Sequence, residues 1–449
     1  MRILLVYPTH SDDSGRPVKY RKASLPPLAL AALAGMTPEE HDVVIVNDIC
    51  EEVPFDGDWD LVGITSMTAQ ADRAYEIGDE FRERGVPVAM GGTHPTMLPE
   101  DAGQHADAIA IGEADDIWAE MLVDAENGRL QPVYQGDDYP DLTNCSLPNW
   151  ANADLDAYAR RPGTKLPMMT IHTTRGCPHG CSFCTVTRIY GRKHRMKPVA
   201  KVLQEIDETG AEDYFFVDDN ILGQPDYAEE LFRALKTRNI RWQSQASTTI
   251  IKRPDLVQLA GEAGCFSLFL GIESLNPDSL KRVSKQFNRP DDYGELFSLL
   301  RSAGIIPWTS FIFGFDEDGP EQARVTADFV RKWNLQFPVF WFLTPLPGTP
   351  MYDEFKEAGR MRDVPWAHFD GTHIVYEPEM PRDELMAAYW QCFRESYSLR
   401  NSLAAVGTSV RHARAKGEEL LRSGFLQFMF RSKVRRGLHP YSGGVDRVN

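Results

Sequence analysis

The chain has 449 residues, 42% hydrophobic and 25% charged, the balance of a water-soluble folded protein with room for two or three domains. Its formal charge of −17 argues against nucleic acid as a general partner. No apolar stretch is long enough to span a bilayer, and Met1-Arg2 leads into Ile3–Tyr7, a run too short for the core of a signal peptide, so a cytoplasmic location is expected.

Arg2–Tyr7 reads as a buried strand. Ser24-Leu25-Pro26-Pro27 then opens an alanine- and leucine-rich helix over Leu28–Met36, with Ser24 as its expected N-cap. Further strands are expected at His41–Asn47, Leu61–Ser66, Val86–Met90 and Ala108–Ile111, with a helix over Ala69–Arg84. This alternation predicts a parallel, doubly wound sheet, whose ligands sit at the carboxyl ends of the strands. The loops at those ends hold Pro8, Thr9 and His10; Thr65, Ser66, Met67 and Thr68; Gly91, Gly92, His94 and Thr96; and Gly112 and Glu113. No G-x-G-x-x-G follows the first strand, which disfavours a dinucleotide. Residues 132–165 are rich in Pro, Asp, Asn and Gly and read as an irregular connection.

Three of the seven cysteines then fall within eight residues, Cys177-Pro178-His179-Gly180-Cys181-Ser182-Phe183-Cys184. Three thiolates on so short a loop suit three irons of a [4Fe–4S] cube and leave the fourth iron open. The alternative is a zinc knuckle completed by His172, His179 or His194. Gly176, Pro178 and Gly180 let the loop turn tightly. Cys50, Cys145, Cys265 and Cys392 are scattered and read as buried thiols, and the odd total suits a reducing compartment.

Strands are expected at Met168–Thr173, Asp213–Val217, Arg241–Ala246, Ser267–Gly271, Ile306–Phe313 and Val339–Leu343. Helices are expected between them at Val199–Thr209, Tyr227–Lys236, Pro254–Ala263, Asp291–Ala303 and Gln322–Lys332. Six β/α units in series predict a partial TIM-like barrel, with the cysteine loop at one strand's carboxyl end. Asp218, Asp219, Asn220, Gln245, Ser247, Glu273 and Gly314 fall at successive ends on the same side. Arg175 and the basic run 188–197 would either meet an anion there or form a solvated loop. Trp308, Phe311, Phe313, Phe340, Trp341 and Phe342 are expected to be mostly core, a minority lining an apolar pocket. Three prolines stiffen the following loop, Leu343–Pro350.

Pro381–Tyr397 has a helical pattern with aromatic residues, and residues 411–436 carry eight Lys or Arg against two Glu around Phe425, Leu426, Phe428, Met429 and Phe430. Such a basic amphipathic segment either packs back on the acidic body, the preferred reading, or rests on a membrane or lipid-like substrate.

The C-x3-C-x2-C loop, with Phe183 before its last cysteine, resembles the signature of the radical S-adenosylmethionine (SAM) superfamily. Ahead of it, Pro26-Pro27-Leu28-Ala29-Leu30, Gly91-Gly92-x-His94-Pro95-Thr96 and Gly112-Glu113 resemble the cobalamin-binding domain of B12-dependent radical SAM proteins. The resemblance covers residues 1 to about 390. It implies a Rossmann-like cobalamin-binding domain over 1–140, a linker over 141–165, a radical SAM partial barrel over 166–390 and a helical basic extension over 391–449. It further implies that Cys177, Cys181 and Cys184 ligate a [4Fe–4S] cluster whose open iron takes SAM. Phe183, Asp218, Asp219, Asn220, Gln245, Ser247, Glu273 and Gly314 would contact SAM, with Gly314 opening the backbone to adenine. Pro8, Thr9, Thr65, Ser66, Met67, Gly91, Gly92, His94, Thr96, Gly112 and Glu113 would surround cobalamin. The D-x-H-x-x-G motif that supplies a cobalt-ligating histidine is absent, so His94 is expected to order its loop.

The activity implied is C-methylation of an unactivated carbon through a 5′-deoxyadenosyl radical and methylcobalamin. Cyclisation, oxidation or rearrangement without net methyl transfer, and a non-catalytic iron–sulfur and corrin redox sensor, are the alternatives. A small-molecule or lipid-like substrate and an external one-electron reductant of the flavodoxin or ferredoxin type complete the expected partners.

Overall fold

Ile3, Leu4, Leu5 and Val6 are completely buried, because β1 (Arg2–Tyr7) runs through the middle of a parallel sheet covered on both faces. The protein is described from a computed structural model covering residues 1–412, 417–440 and 444–448, with side chains described outside 409–423 and 441–449. After β2 (Lys19–Ala23) come β3 (Asp42–Asn47), β4 (Leu61–Thr65), β5 (Val88–Gly91), β6 (Ala108–Ile111) and β7 (Val133–Gln135). The first sheet has the order β3-β1-β4-β5-β6-β7, all parallel. Leu4 and Val6 pack with Ile77 and Phe81 on one face, while Ile3 and Leu5 meet Leu30, Trp118 and Leu122 on the other. Alternate side chains of one apolar run thus serve two helical layers.

The helix Leu28–Met36 forms as the sequence indicates, but Ser24 does not cap it. The N-cap position is Pro27, and no side chain bonds the first-turn amides. Two strands escape the hydrophobic pattern. The first is β2, Lys-Tyr-Arg-Lys-Ala, which is mostly polar. The second is β7, which lies within the segment read as an irregular connection and adds a sixth strand to the sheet.

The second half contains β8 (Met169–Ile171), the short pair β9 (Thr174–Arg175) and β10 (Arg195–Met196), then β11 (Asp213–Phe216), β12 (Arg241–Ala246), β13 (Cys265–Glu273), β14 (Ile306–Phe313) and β15 (Phe337–Phe342). Its sheet runs β15-β14-β13-β12-β11-β8, all parallel, and ends at β8 on one side and β15 on the other. This is the six-stranded open barrel expected from the β/α repeat. Trp242, Leu268, Leu270, Phe311 and Phe313 face outward into the helical layer and are buried. Gln243, Gln245, Phe269, Trp308 and Ile312 alternate with them and are only half-buried, so the inner face is an open concave wall.

The helix Arg382–Ser396 closes the outer face of β14 and β15. Tyr389 stacks on Phe342 at 4.2 Å and Phe393 meets Phe340 edge-on at 4.7 Å. Phe311, Phe313, Phe340 and Phe342 are therefore core, whereas Trp308 turns inward and Trp341 packs beside His439. The basic tail forms helices Leu399–His412 and Gly417–Arg435, and residues 413–416 of its charged run lie outside the described residues. Phe430 packs back edge-on against Phe337 at 5.8 Å, and Gln427 donates to the Gln336 carbonyl at 2.5 Å. Phe425 and Phe428 on the same helix remain 69% and 42% exposed, so packing back covers only one side of it. After it, β16 (Gly444–Val448) pairs antiparallel with β2, returning the chain to its first domain.

Asp318, after β14, accepts from the Ser279 hydroxyl at 2.9 Å, while its Oδ2 is buried without a partner. Burial raises its carboxyl to about 7. A raised acid pKa means that the group's contribution to stability is present below about pH 4 and lost as pH climbs through 7. The Asp318→Asn protein, which cannot ionise there, should therefore gain several degrees of Tm relative to wild type between pH 5 and pH 8, read from paired melting curves.

Candidate active site at the facing strand ends

The cysteine loop is anchored before it begins. Asp218, at the end of β11, is buried and accepts from the Thr173 amide at 3.1 Å, the Thr173 hydroxyl at 2.8 Å, the Thr174 hydroxyl at 2.5 Å and the Thr174 amide. All these donors lie where β8 passes into the loop, so the carboxylate fixes the loop's departure. The loop's far side is pinned by the antiparallel pairing of β9 with β10, Arg175 opposite Arg195. Gly176 has φ +92°, and a Cβ there would lie 2.6 Å from the Lys193 carbonyl, so only glycine lets the two sides come this close.

Cys177, Cys181 and Cys184 are free thiols, each partly exposed. Burial raises all three, Cys184 to about 12, and the other two thiols push Cys184 further in the same direction. Thiolates are disfavoured here unless a positive centre balances them. A zinc ion would need its ligand sulfurs about 3.8 Å apart. Among the described residues, the only group of three or more His, Cys, Asp or Glu ligand atoms within 4.8 Å of one another is elsewhere, so neither the three sulfurs nor a neighbouring histidine forms that smaller cage. His172, His179 and His194 do not join the thiols: His179 stacks on Phe287 at 3.9 Å, and His194 is buried beside Gly223. Three thiols with no fourth protein ligand beside them among the described residues suit three irons of an iron–sulfur cube.

The remaining strand-end residues divide into two kinds. Asp219 is half-buried with its carboxyl raised to about 7 by burial and by Asp218, and it lies close enough to Cys177 and Cys184 to act on both electrostatically. Gln245 stands on the inner wall and is half-buried. Phe183 packs against the barrel core with Lys285 Nζ 6.0 Å above its ring. Glu273 ends β13 in a left-handed conformation at φ +63°, beside a break in the register with β14, and pairs with Lys285 while Ser310 donates to it at 3.5 Å. Strain of this kind in a non-glycine residue persists where the surroundings over-determine it. Burial alone would lower the Lys285 ammonium, but Glu273 and Cys181 outweigh it and keep the pKa raised. Lys285 lies after a helix rather than at a strand end, so the β/α pattern gave no sign of it.

The second kind serves the scaffold. Asn220 accepts from the Ser247 amide at 3.1 Å, and Ser247 caps the turn Thr248–Lys252 by accepting from the Thr249 amide at 3.3 Å. Gly314 does not open the backbone to a ligand. It has φ +101°, the Tyr376 hydroxyl donates to its carbonyl, and a Cβ would collide with that hydroxyl. The glycine is required by the tyrosine above it. Gly314→Ala is accordingly expected to cost about 2–4 kcal/mol, measured by denaturant unfolding.

The loops of the first sheet face this loop directly. Glu113, after β6, is nearly buried and takes ion pairs from both Arg175 and Arg195, and Asp115 accepts from Arg175 at 2.7 Å. Arg175 is therefore neither a solvated residue nor free to hold an anionic ligand; two carboxylates of the other domain occupy it. Gly348 of the proline loop packs on Met97, where a Cβ would meet its sulfur, and Arg188 donates to the Gly348 carbonyl at 2.8 Å. Both sets of strand ends thus look onto one seam.

Within the seam, Met67 is 52% exposed at the end of β4. The Ser66 hydroxyl is buried without a partner. Gly112 has φ +83° with open space where a Cβ would be, and Thr96 accepts from its amide at 3.0 Å. Gly91 and Gly92 turn tightly beside Thr65 and Ser66, and the Ser66 amide donates to the Gly91 carbonyl at 3.0 Å. These residues leave room and unsatisfied polar capacity for a large ligand. Thr9 does not: it is buried, its amide donates to Asp48 at 3.1 Å and its hydroxyl to the Val18 carbonyl at 2.5 Å. The Pro8 carbonyl accepts from Gln70 at 2.5 Å. His94 is wholly buried, with Nε2 2.8 Å from the Tyr75 hydroxyl and its ring edge-on to Trp366 at 4.9 Å, an arrangement that orders the loop.

Two family models match the chain, the radical SAM superfamily over residues 171–330 and the B12 binding domain over residues 18–122. The chain is 34% identical over 380 residues to the bacteriochlorophyllide d C-12(1)-methyltransferase of Chlorobaculum tepidum, covering 83% of this chain and 82% of the relative. It is 32% identical to the bacteriochlorophyllide d C-8(2)-methyltransferase of the same organism, covering 82% and 85%. Its fold is similar to that of the radical S-adenosylmethionine methyltransferase TsrM from Kitasatospora setae, with TM-score 0.67 at 17% identity over 97% of this chain and 99% of that one. A B12-binding sheet followed by a radical SAM barrel, their strand ends meeting at one seam, makes this chain a member of the cobalamin-dependent radical SAM enzymes.

Proposed function

We propose that the chain is a C-methyltransferase acting on an unactivated carbon of a tetrapyrrole-like small molecule. The observation that carries this is the Glu113 clamp, which ties the first sheet's ligand face to the base of the cysteine loop. A corrin and a cluster-bound SAM would be held on opposite sides of the seam. The two bacteriochlorophyllide relatives support the substrate class. The inner wall offers apolar surface for a macrocycle at Phe269 and Trp308, which meet edge to face at 5.6 Å.

When bound, the cluster with SAM supplies a hydrogen-abstracting radical, and cobalamin supplies the methyl group. The protein's residues do the rest. Cys177, Cys181 and Cys184 would hold the cluster, to which SAM would bind. Asp219, Gln245 and the unpartnered Ser182 hydroxyl orient it, and the Glu273–Lys285 pair supplies charge beside it. Asp218, Asn220 and Ser247 position the loops. Ser66, Met67, Gly91, Gly92, Thr96 and Gly112 cradle the corrin. An external flavodoxin- or ferredoxin-type protein supplies the electron.

The test is anaerobic reconstitution with iron, sulfide and hydroxocobalamin, followed by turnover of chlorophyllide-type substrates under strong reductant. Formation of 5′-deoxyadenosine, S-adenosylhomocysteine and a methylated tetrapyrrole is expected. Deoxyadenosine with an unmethylated, rearranged or oxidised product would overturn the methyl-transfer reading. Methylation of other small molecules alone would overturn the substrate class.

A further inference from the structure

We infer that Asp13, His368 and His373 form a binding site for a divalent zinc-type ion, separate from the cysteine loop. Asp13 lies in the loop after β1, and both histidines lie in the segment 363–374, which follows the proline loop and its helix. The Asp13 Oδ1 atom is 3.2 Å from His368 Nε2 and 3.5 Å from His373 Nε2. The two imidazoles stack at 4.3 Å with only 6° between their planes, so both ring edges face Asp13 and one ring must rotate for both nitrogens to aim at a single ion. All three ligand atoms lie within 4.8 Å of one another. Tetrahedral zinc bound by nitrogen and oxygen at its usual bond length holds neighbouring ligand atoms about 3.3 Å apart, close to both measured separations.

The hydrogen-bond polarity points the same way. Asp370 Oδ1 lies 3.0 Å from His373 Nδ1, and its Oδ2 accepts from the Thr372 hydroxyl at 2.7 Å. A carboxylate in that place holds a proton on Nδ1 and turns Nε2 toward Asp13, where either a second proton or a metal cation can join the two. The same arrangement, a carboxylate behind a histidine whose other nitrogen is offered outward, orients histidines at metal centres. Two imidazoles and one carboxylate favour zinc or a neighbouring first-row divalent ion over calcium or magnesium. Three ligands leave a fourth position for water.

The placement says what such an ion would do. The same segment is held to the first domain by Trp366 Nε1 donating to Asp101 at 3.1 Å and by the Ala367 amide donating to Asp72 at 2.8 Å. His368 Nε2 already meets Asp13 Oδ1 at 3.2 Å at the exposed end of this strap, and the ion would replace that hydrogen bond with a metal link. Asp13 is 81% exposed, so the site is reached from solvent without opening the seam.

The experiment uses the full chain with its cluster reconstituted, equilibrated by dialysis against micromolar free zinc. Zinc and iron are then counted in the same sample. One zinc per chain beyond the iron is expected. Asp13→Ala, at an exposed position, and His373→Gln should each lose it with iron content and circular dichroism unchanged. Asp370→Asn should weaken zinc binding about 10–100-fold through the histidine it orients. Equal zinc in wild type and in both ligand variants would overturn the site, as would wild-type protein that carries full iron and no zinc.

Discussion

Cys181→Ala should leave a folded protein with no cluster and no cleavage of SAM. The thiol lies in a loop whose course is set by Asp218 at one end and the β9–β10 pairing at the other, neither of which involves its sulfur. Circular dichroism and Tm should therefore change little. Reconstitution should drop from about four irons per chain to nearly none, because two thiolates cannot retain the cube against competing thiols. Deoxyadenosine formation should fall below detection, a loss of at least about three orders of magnitude. The same is expected for Cys177 and Cys184. Replacing Cys145 or Cys265, buried and away from the loop, should leave iron content intact. A Cys181→Ala protein that still cleaves SAM would show that the cluster is held elsewhere.

Replacing Glu113 should do the opposite: keep the cysteines and lose the seam. Its carboxylate is nearly buried and meets two guanidinium groups that are themselves mostly shielded from water. Glu113→Ala leaves Arg175 with Asp115 and Arg195 with the Pro140 and Tyr190 carbonyls and the Tyr139 ring, so Arg195 keeps no carboxylate partner. Uncompensated buried charge of this kind costs about 3–5 kcal/mol, which for a chain this long corresponds to a Tm lower by roughly 3–5 °C. Cobalamin retention after gel filtration should fall at least tenfold, while iron content stays near normal. A Tm shift of less than a degree would mean that the clamp does not join the two domains. Glu113→Gln should sit between these limits, since it keeps an acceptor and loses the charge.

Regular elements were legible wherever burial imposed a period. The helices at Leu28–Met36, Val199–Thr209 and Gln322–Lys332 and the strands at Arg2–Tyr7, Arg241–Ala246 and Ile306–Phe313 start and stop where their patterns do. The strands β2 and β7 were not legible, because edge and ribbon strands bury too little to carry an apolar signature. The site divided the same way. Which loops converge follows from topology, so the strand-end residues could be named in advance. Which of two adjacent side chains turns inward does not follow: Asp218 faces the backbone while Asp219 stays partly open. Ion pairs between distant segments, Glu113 with Arg175 and Glu273 with Lys285, leave no local trace either.

The pairing of β2 with β16 has a consequence for biosynthesis. β2 is polar, and the strand it bonds to emerges roughly four hundred residues later. At about 5–20 residues per second, β2 waits on the order of half a minute to more than a minute on the ribosome with its amides and carbonyls open to other chains. Its sequence, Lys-Tyr-Arg-Lys-Ala, places three cations along that open edge. Clustered like charges repel a second nascent copy, so the composition that hid this strand from the hydrophobic pattern also protects it while it waits.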